Sequence, residues 1–351
     1  MTEEIPNRSG DAFTTDDESQ ILNAIDKWLD KEVKDKVLAL DHADEYPIQM
    51  VEQMKSLGLF GATISQKYGG LGMPSASYAK VVTAVSEVWM SLSGIFNSHL
   101  IMAAAVERFG TEDQKQRFLP KFATGEIRGG LALTEPSCGT DLQAIRTKAH
   151  KEGDHYLING SKTWISNGIE GDCVALLVKT DTEIQPRHKG MSLFLAEKGP
   201  GFSAGPKLEK LGYKGIDSAE LFFDNYVIAA DNLIGGEEGH GFHHTVGGLE
   251  LGRINVAARG VGVASAALKA ATSYAQTRET MGKPIGQHQA IQTKLGDMAT
   301  RCHAARLLVQ DAARAYDRGE RCDMEAGMAK LFASEAAMEN ASECMRIHGA
   351  Y

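Results

Sequence analysis

The sequence contains no run of eighteen or more apolar residues, which predicts that no segment crosses a membrane. Cysteine is scarce: only five are present, at positions 138, 173, 302, 322 and 344, and no two form a C-x-x-C pair. This pattern predicts reduced thiols, no disulfide framework and no structural metal, and it favours a cytoplasmic protein. The first twenty residues lack both the apolar core of an export signal and the arginine-rich pattern of an organelle signal.

Positive charge is also in short supply. The chain has 37 Lys and Arg against 46 Asp and Glu, giving a net charge of −9. Nucleic acids and anionic membranes require a basic face, so neither is an expected partner. The length of 351 residues exceeds what a single core usually supports, so two or three packed units are expected.

Two common kinds of site are missing. Gly260-Val261-Gly262 lies inside a helical pattern with no strand before it, which argues against a Rossmann site, and there is no P-loop. The cluster of His240, His243 and His244 has no acidic pair to complete a metal site, so we expect histidines at the start of a helix.

The periodicity of apolar residues divides the chain into four parts. These are a disordered tail (1–20), an N-terminal all-α domain (21–128), a middle β domain (129–238) and a C-terminal helical bundle (239–351). Within the all-α domain, Pro47 begins a helix that Gly58 closes, and Thr111 to Gln114 form a capping box that opens a helix limited by Pro120.

In the middle domain the apolar period shifts towards two. Strands are predicted at Tyr156 to Ile158, Val174 to Val178, Leu193 to Leu195 and Leu221 to Phe223, with a hairpin-type turn at Asn159-Gly160. Beyond it, a long helix is predicted over Arg253 to Tyr274. A second long helix is predicted from apolar residues at alternating steps of four and three, which form its packed side: Ile291, Leu295, Met298, Cys302, Ala305, Val309 and Ala312.

Three motifs combine small, hydroxyl and aromatic residues in a way that suits a flat, polar cofactor. They are Leu131-Ala132-Leu133-Thr134-Glu135-Pro136-Ser137-Cys138-Gly139-Thr140-Asp141, then Trp164-Ile165-Ser166-Asn167-Gly168, then Arg278-Glu279-Thr280-Met281-Gly282-Lys283-Pro284 with His288-Gln289. Taken singly, they are also explained as an ordinary turn, a core tryptophan and a solvated arginine at a helix end. Their order and spacing together are far more specific.

Together these motifs resemble the acyl-CoA dehydrogenase family of FAD-dependent flavoproteins, from about Leu22 to Tyr351. The resemblance implies an α+β, mainly α fold, with an N-terminal helical domain, a middle β-barrel-like or sandwich domain and a C-terminal four-helix bundle. It also implies FAD as cofactor, an acyl-CoA substrate, electron-transfer flavoprotein as partner, and self-association, usually as a homotetramer.

The resemblance also implies which residues bind FAD. In the middle domain these are Leu131, Leu133, Thr134, Gly139, Thr140, Trp164, Ile165 and Ser166, with Trp164 against the flavin and the Ser166 hydroxyl near its N5. In the C-terminal domain they are Arg278, Thr280, His288, Gln289, Arg346, Gly349 and Ala350, of which Arg278 would reach the FAD of a neighbouring subunit. Many relatives carry Gln in place of Arg346 and a second Gly in place of Ala350.

The same resemblance places the acyl-CoA near Thr140, Glu250 and Arg253, whereas a surface ion pair on a helix is the alternative for the last two. Removal of the α-proton requires a carboxylate base, which in most of the family is a Glu downstream of the turn matched by Ile347-His348-Gly349. The expected Glu lies beyond Tyr351, so the sequence resembles a member lacking its C-terminal segment. Gly252 occupies the position that a minority of the family uses, and Glu250 is a weak substitute.

The implied activity is α,β-dehydrogenation of an acyl-CoA thioester to the trans-2-enoyl-CoA, as in fatty acid β-oxidation. Two alternatives stay open on the sequence alone. One is a flavin-dependent oxidase or monooxygenase on the same fold, and the other is an inactive acyl-CoA-binding homologue. The sequence does not fix the acyl chain.

Overall fold

The computed structural model describes residues 13–351, in which the elements run in the order helices, strands, helices. The long helices and their shorter neighbours are α1 Thr15–Trp28, α2 Val37–Ala43, α3 Ile48–Ser56, α4 Ser75–Phe109, α5 Glu112–Thr124, α6 Gly241–Thr277, α7 Gln289–Asp317 and α8 Asp323–His348. The strands are β1 Gly129–Ala132, β2 Lys148–Glu152, β3 His155–Ser166, β4 Cys173–Lys179, β5 Met191–Glu197, β6 Phe202–Lys207, β7 Ser218–Ala229, β8 Glu279–Thr280 and β9 Lys283–Pro284. The predicted fold class is confirmed.

These elements form two compact units. One comprises residues up to 37, residues 74–93 and residues 250–351, and the other comprises residues 38–73 and 94–249. We call them the bundle unit and the sheet unit. The boundary in α4 lies close to Trp89, where the backbone leaves helical geometry (φ −153°, ψ 105°).

The sheet unit is built on seven strands in the order β1-β4-β2-β3-β7-β6, with β5 paired to β4. Strand β1 runs parallel to β4, whereas β3 is antiparallel to both β2 and β7. Alternate apolar side chains such as Tyr156, Ile158 and Leu176 fill one core, as the period-two pattern predicts. All four predicted strand runs lie within observed strands: β3, β4, β5 and β7.

The predicted hairpin turn at Asn159-Gly160 is wrong. Both residues lie inside β3, where the register with β7 shifts between Ile158 and Gly160, so the pair forms a bulge. Gly160 has φ +148° and a Cβ there would lie 2.7 Å from the Thr147 Cα, which only glycine tolerates. An Asn-Gly pair thus marks a close backbone approach here instead of a chain reversal.

Local signals place α3 and α5 correctly but misplace one end. Helix α3 follows Pro47 and is closed by Gly58 at φ +71°, and the Thr111–Gln114 capping box opens α5. Pro120 does not limit α5, which continues to Thr124 and ends at left-handed Gly125. Buried Phe122 and Ala123 belong to the last turn, so their packing sustains the helix beyond the proline.

Helix α1 begins at Thr15, earlier than the start of the all-α domain predicted at residue 21. Thr14 and Asp17 form a reciprocal capping box, with the Thr14 N–H donating to Asp17 Oδ2 at 2.8 Å, so residues 15–20 are helical instead of a disordered tail. Residues 13 and 14 precede the helix, with Thr14 as its N-cap, and residues 1–12 of the predicted tail lie outside the described residues.

Helix α4 qualifies the prediction about membranes. By length and composition Ser75–Phe109 could cross a bilayer, with a mean hydropathy of 1.2 over its most apolar window. However, 72% of that window is buried within the protein, as is typical of a core helix.

In the bundle unit, small residues let the long helices approach closely. The predicted packed side of α7 is buried at Met298, Cys302, Ala305, Val309 and Ala312, and Ile291 and Leu295 are half-buried. A Cβ built on Gly260 in α6 would lie 2.6 Å from the Ala333 carbonyl oxygen of α8. The α6–α8 contact therefore requires glycine at position 260.

Gly260→Ala is expected to destabilise the protein by about 1–3 kcal/mol, because a backbone atom must move to admit the methyl group. Gly296→Ala, at an exposed position of α7, is the matched control, since the added Cβ would meet nothing within 4 Å, and this variant should be more stable by up to about 1 kcal/mol. Urea unfolding of both variants measures the difference. Equal effects of the two substitutions would contradict this account of the helix contact.

Candidate active site

The ends of β1 and β3 bring together the first two predicted motifs. A Cβ on Gly130 would lie 2.7 Å from the Ser166 carbonyl oxygen, so glycine allows these strand ends to approach. The Thr163 N–H donates to the Thr134 carbonyl at 2.9 Å. The loop after β1 and the end of β3 therefore form one continuous surface in the sheet unit.

Trp164 stands out on this surface. Its side chain is 56% exposed, whereas Trp28 and Trp89 are 7% and 5% exposed. Its backbone is left-handed (φ +59°), at a register shift between Lys162 and Ile165. A non-glycine residue in this region costs about 1 kcal/mol or more, and such strain concentrates at functional sites. The bulge thus presents an indole face outward at a conformational cost.

The neighbouring predicted residues differ in what they can offer a ligand. Half-buried residues are Leu131, Leu133, Thr134 and Ser166, and exposed ones are Gly139 and Thr140. Ile165 is only 2% exposed and packs in the sheet core, so it can contribute only backbone atoms to this surface. An exposed indole, apolar edges and several hydroxyls suit a flat, partly polar ring system such as isoalloxazine.

A buried ion pair lies beneath this surface, formed by two residues that are not among the predicted site residues. Lys162 Nζ lies 2.8 Å from Glu135 Oε1, with side chains 0% and 4% exposed. Burial works to raise the pKa of Glu135, but the Lys162 charge and hydrogen bonds from Lys162, Thr147 and Arg146 together lower it. Lys162 shares the inward-facing parity of Tyr156 and Ile158 in β3, but the turn predicted at Asn159-Gly160 separates it from them in the sequence.

Asn167 fixes the end of β3 from the other side. Its Nδ2 donates to the carbonyls of Ile95 at 2.9 Å and Gly129 at 2.8 Å, and the residue is 1% exposed. Its backbone is also left-handed, at φ +58°. The turn that carries Trp164 and Ser166 is therefore held between β1 and the second half of α4.

The third predicted motif and the predicted FAD contacts at 346–350 lie in the bundle unit. Strands β8 and β9 form a hairpin whose turn residues, Met281 and Gly282, both have positive φ. Arg278 and Gln289 are exposed, and His288 Nε2 lies 3.3 Å from the Thr280 carbonyl oxygen. The hairpin thus presents a guanidinium group to solvent.

The turn after α8 joins this hairpin through one apolar cluster. Ile285 and Ile347 share a core with Tyr274, whose ring stacks on His348 at 4.3 Å. Arg346 is exposed and pairs with Glu343, while a Cβ on Gly349 would meet nothing within 4 Å. Ala350 is exposed. The structure therefore brings the two predicted C-terminal motifs together within the bundle unit.

Glu250 and Arg253 belong to a charged network at the start of α8. Hydrogen bonds from Arg321 and with Glu250 lower the pKa of Asp323, and the Arg253 charge adds to this effect. Both Glu250 and Arg253 are half-buried. Glu250 is thus engaged with Asp323 at the start of α8.

The histidines at the start of α6 pack instead of gathering around an ion. His244 stacks on Phe109 at 4.6 Å, and His243 meets the same ring edge-on at 5.4 Å. Burial, aided by the charges of His243 and His240, lowers the pKa of His244 to about 4. Within residues 13–351, no three His, Cys, Asp or Glu side chains are grouped to hold a metal.

Three domain models match the chain in order. They describe the N-terminal domain of acyl-CoA dehydrogenase (residues 15–126), the middle domain (130–226) and the C-terminal domain (239–351). An acyl-CoA dehydrogenase of Bacillus subtilis is 39% identical over 339 residues, which cover 96% of this chain and 89% of that relative.

Two solved structures are similar to this chain over almost its whole length. Butyryl-CoA dehydrogenase from Megasphaera elsdenii has a TM-score of 0.93 at 34% identity, covering 97% of this chain and 90% of that one. A chain in a solved structure described as the electron transferring flavoprotein of Acidaminococcus fermentans has a TM-score of 0.93 at 37% identity, with the same coverage.

Proposed function

The chain belongs to the acyl-CoA dehydrogenase family, whose cofactor is FAD, and we propose that it dehydrogenates an acyl-CoA thioester at the α and β carbons to the trans-2-enoyl-CoA. The observation that carries the proposal is Trp164, held exposed on left-handed backbone beside the loop after β1. When bound there, FAD would accept the hydride removed from the β carbon.

In this proposal the sheet unit holds the flavin ring. The Trp164 indole packs against it, the Thr134 and Ser166 hydroxyls offer hydrogen bonds, and Leu131 and Leu133 shield it from water. Gly139 and Thr140 lie further along the same loop, where a missing or small side chain leaves backbone N–H groups within reach of polar ligand atoms. Thr140 also contacts the acyl-CoA.

The α-proton needs a base, and we propose a glutamate outside these 351 residues, as the resemblance implies. Glu250 is a poor candidate because it is hydrogen-bonded with Asp323. We propose that Glu250 and Arg253 instead orient the thioester and pantetheine part of the substrate, where polar contacts with the substrate's amides and carbonyls are needed.

We also propose that the protein self-associates, as a homotetramer, so that Arg278, Thr280, His288 and Gln289 of one copy reach the FAD of another. A guanidinium suits a pyrophosphate because it binds two oxygens at once. Arg346, Gly349 and Ala350 would contact FAD in the same region. The exposed face of α8 supports association: Met324, Met328, Leu331, Met338 and Met345 follow one another at steps of four, three, seven and seven, which keeps them on one side of the helix, and they are 45–72% exposed.

The double substitution Leu331→Glu and Met338→Glu is therefore expected to reduce the assembly to smaller species, because it places charge in an apolar seam. Light scattering coupled to gel filtration measures the mass. Leu38→Glu, at a residue 67% exposed outside α8, is the control and should leave the mass unchanged. An unchanged mass for the double variant would contradict this role of the α8 face.

We propose electron-transfer flavoprotein as the electron acceptor. The support is that a chain 37% identical to this one occurs in a solved structure described as the electron transferring flavoprotein of Acidaminococcus fermentans. The test incubates the FAD-loaded protein from the complete reading frame with butyryl-CoA in air and, separately, without air but with electron-transfer flavoprotein. Enoyl-CoA formation that depends on the flavoprotein supports the proposal. Turnover in air with stoichiometric hydrogen peroxide would identify an oxidase instead.

A further inference from the structure

The Glu135–Lys162 pair is far more buried than other ion pairs of the sheet unit. The Lys162 and Glu135 side chains are 0% and 4% exposed, with Nζ and Oε1 2.8 Å apart. The Lys207 and Asp44 side chains are 24% and 25% exposed, with Nζ and Oδ1 2.7 Å apart. Removing two charges from water costs more than their attraction usually returns, and a packed apolar pair is often equally stable. Stability alone therefore does not explain the pair.

The hydrogen bonds of the pair show what it holds. Lys162 Nζ donates to the Leu133 carbonyl at 3.1 Å as well as to Glu135. The Glu135 carboxylate also accepts the N–H groups of Arg146 at 2.6 Å and Thr147 at 3.0 Å. Together these bonds fix both ends of the loop after β1.

The pair also fixes the neighbouring strand. Lys162 precedes Trp164 by two residues in β3, and between them the Thr163 N–H donates to the Thr134 carbonyl at 2.9 Å. Any movement of Lys162 therefore shifts the loop containing Leu133 and Thr134 relative to the bulge carrying Trp164. Both segments belong to the proposed flavin surface.

From this geometry we infer that Lys162 and Glu135 are positioning residues that hold the loop after β1 and the Trp164 bulge in register as the two walls of the flavin site. The inference rests on the proposed placement of FAD on this surface. Neither residue touches the cofactor, since both side chains are buried, and they act through Leu133, Thr134 and Trp164.

The test compares four forms of the full-length protein: wild type, Lys162→Met, the double variant Glu135→Gln with Lys162→Met, and Lys207→Met. The last is the control, because it breaks the less buried Lys207–Asp44 pair. The double variant removes both charges and keeps one carboxamide oxygen, which can replace only one of the two carboxylate oxygens that accept the Arg146 and Thr147 N–H groups. For each, we would measure the melting temperature of the apoprotein, the dissociation constant for FAD, and the visible spectrum and midpoint potential of bound FAD.

Lys162→Met is expected to lower the melting temperature and weaken FAD binding at least tenfold. The double variant should regain part of the melting temperature, because it removes the unpaired buried charge, but keep the weakened binding and a shifted spectrum, which a purely structural role would not produce. Lys207→Met should change the melting temperature alone. A double variant with wild-type FAD affinity, spectrum and potential would overturn the inference.

The outcome is separable from that of the proposed function. If acyl-CoA fails to reduce the flavin of the wild type, dehydrogenation is disproved, while the comparison of FAD affinity and spectrum still decides the role of Lys162. If Trp164→Gly alters the bound flavin but the double variant does not, the flavin placement stands and the positioning role is overturned.

Discussion

Replacing Trp164 with glycine is expected to weaken FAD binding by about tenfold or more while leaving the stability of the apoprotein within about 1 kcal/mol of wild type. The indole is 56% exposed and supplies little to the core. Glycine relieves the left-handed backbone strain at φ +59°, which offsets its greater freedom in the unfolded chain. Fluorescence titration with FAD and urea unfolding give the two quantities.

Asn225→Gly is the matched control for this experiment. Asn225 also has a left-handed backbone (φ +49°) and lies in β7 of the same sheet, but it is not among the residues proposed to bind FAD. Its replacement should leave FAD affinity unchanged. If Trp164→Gly and Asn225→Gly bind FAD equally well, Trp164 does not face the flavin.

The protein is expected to lose stability steeply as the pH falls from 6.5 towards 4. Burial lowers the pKa of His99 to about 4, and burial with the neighbouring histidine charges lowers that of His244 to about 4. Between pH 6.5 and about 4, both histidines are protonated in the unfolded chain but remain neutral in the folded protein. Acid therefore favours unfolding. Each histidine can contribute up to about 3 kcal/mol, and above pH 6.5 the effect vanishes.

Urea unfolding at pH 7.5, 6 and 5 measures this dependence. His244→Phe should flatten it, because phenylalanine keeps the stacking on Phe109 and cannot be protonated. His303→Gln, at an exposed position of α7, is the control and should leave the dependence as in wild type. A His244→Phe variant with an unchanged pH profile would refute the role of this histidine.

The sequence predicts much of this architecture because its signals are local. A capping box, Pro47 before a helix and a period of two are set by neighbouring residues, and α3, α5 and the β strands follow them. Where tertiary contacts dominate, the prediction fails. Phe122 sustains α5 beyond Pro120, and the close approach of Thr147 turns Asn159-Gly160 into a bulge.

The candidate site shows the same division. The motifs around Thr134 and Trp164 are visible in the sequence, but Lys162 reads there as an ordinary strand lysine. Its partner Glu135 lies 27 residues away, and only the pairing of the loop with β3 brings the two together. The exposure of Trp164 likewise depends on the register shift between β3 and β7, which no local sequence pattern predicts.

Anaerobic mixing of the FAD-loaded protein with a panel of acyl-CoA thioesters tests the central claim most directly, with loss of the visible flavin absorbance as the signal. The panel should span short, branched, aromatic and long chains, and the test should use both residues 1–351 and the protein produced from its complete reading frame. The account predicts bleaching by at least one thioester in the protein from the complete reading frame and none in residues 1–351, which lack the proposed base. No bleaching by any thioester in either form would contradict the assignment as an acyl-CoA dehydrogenase.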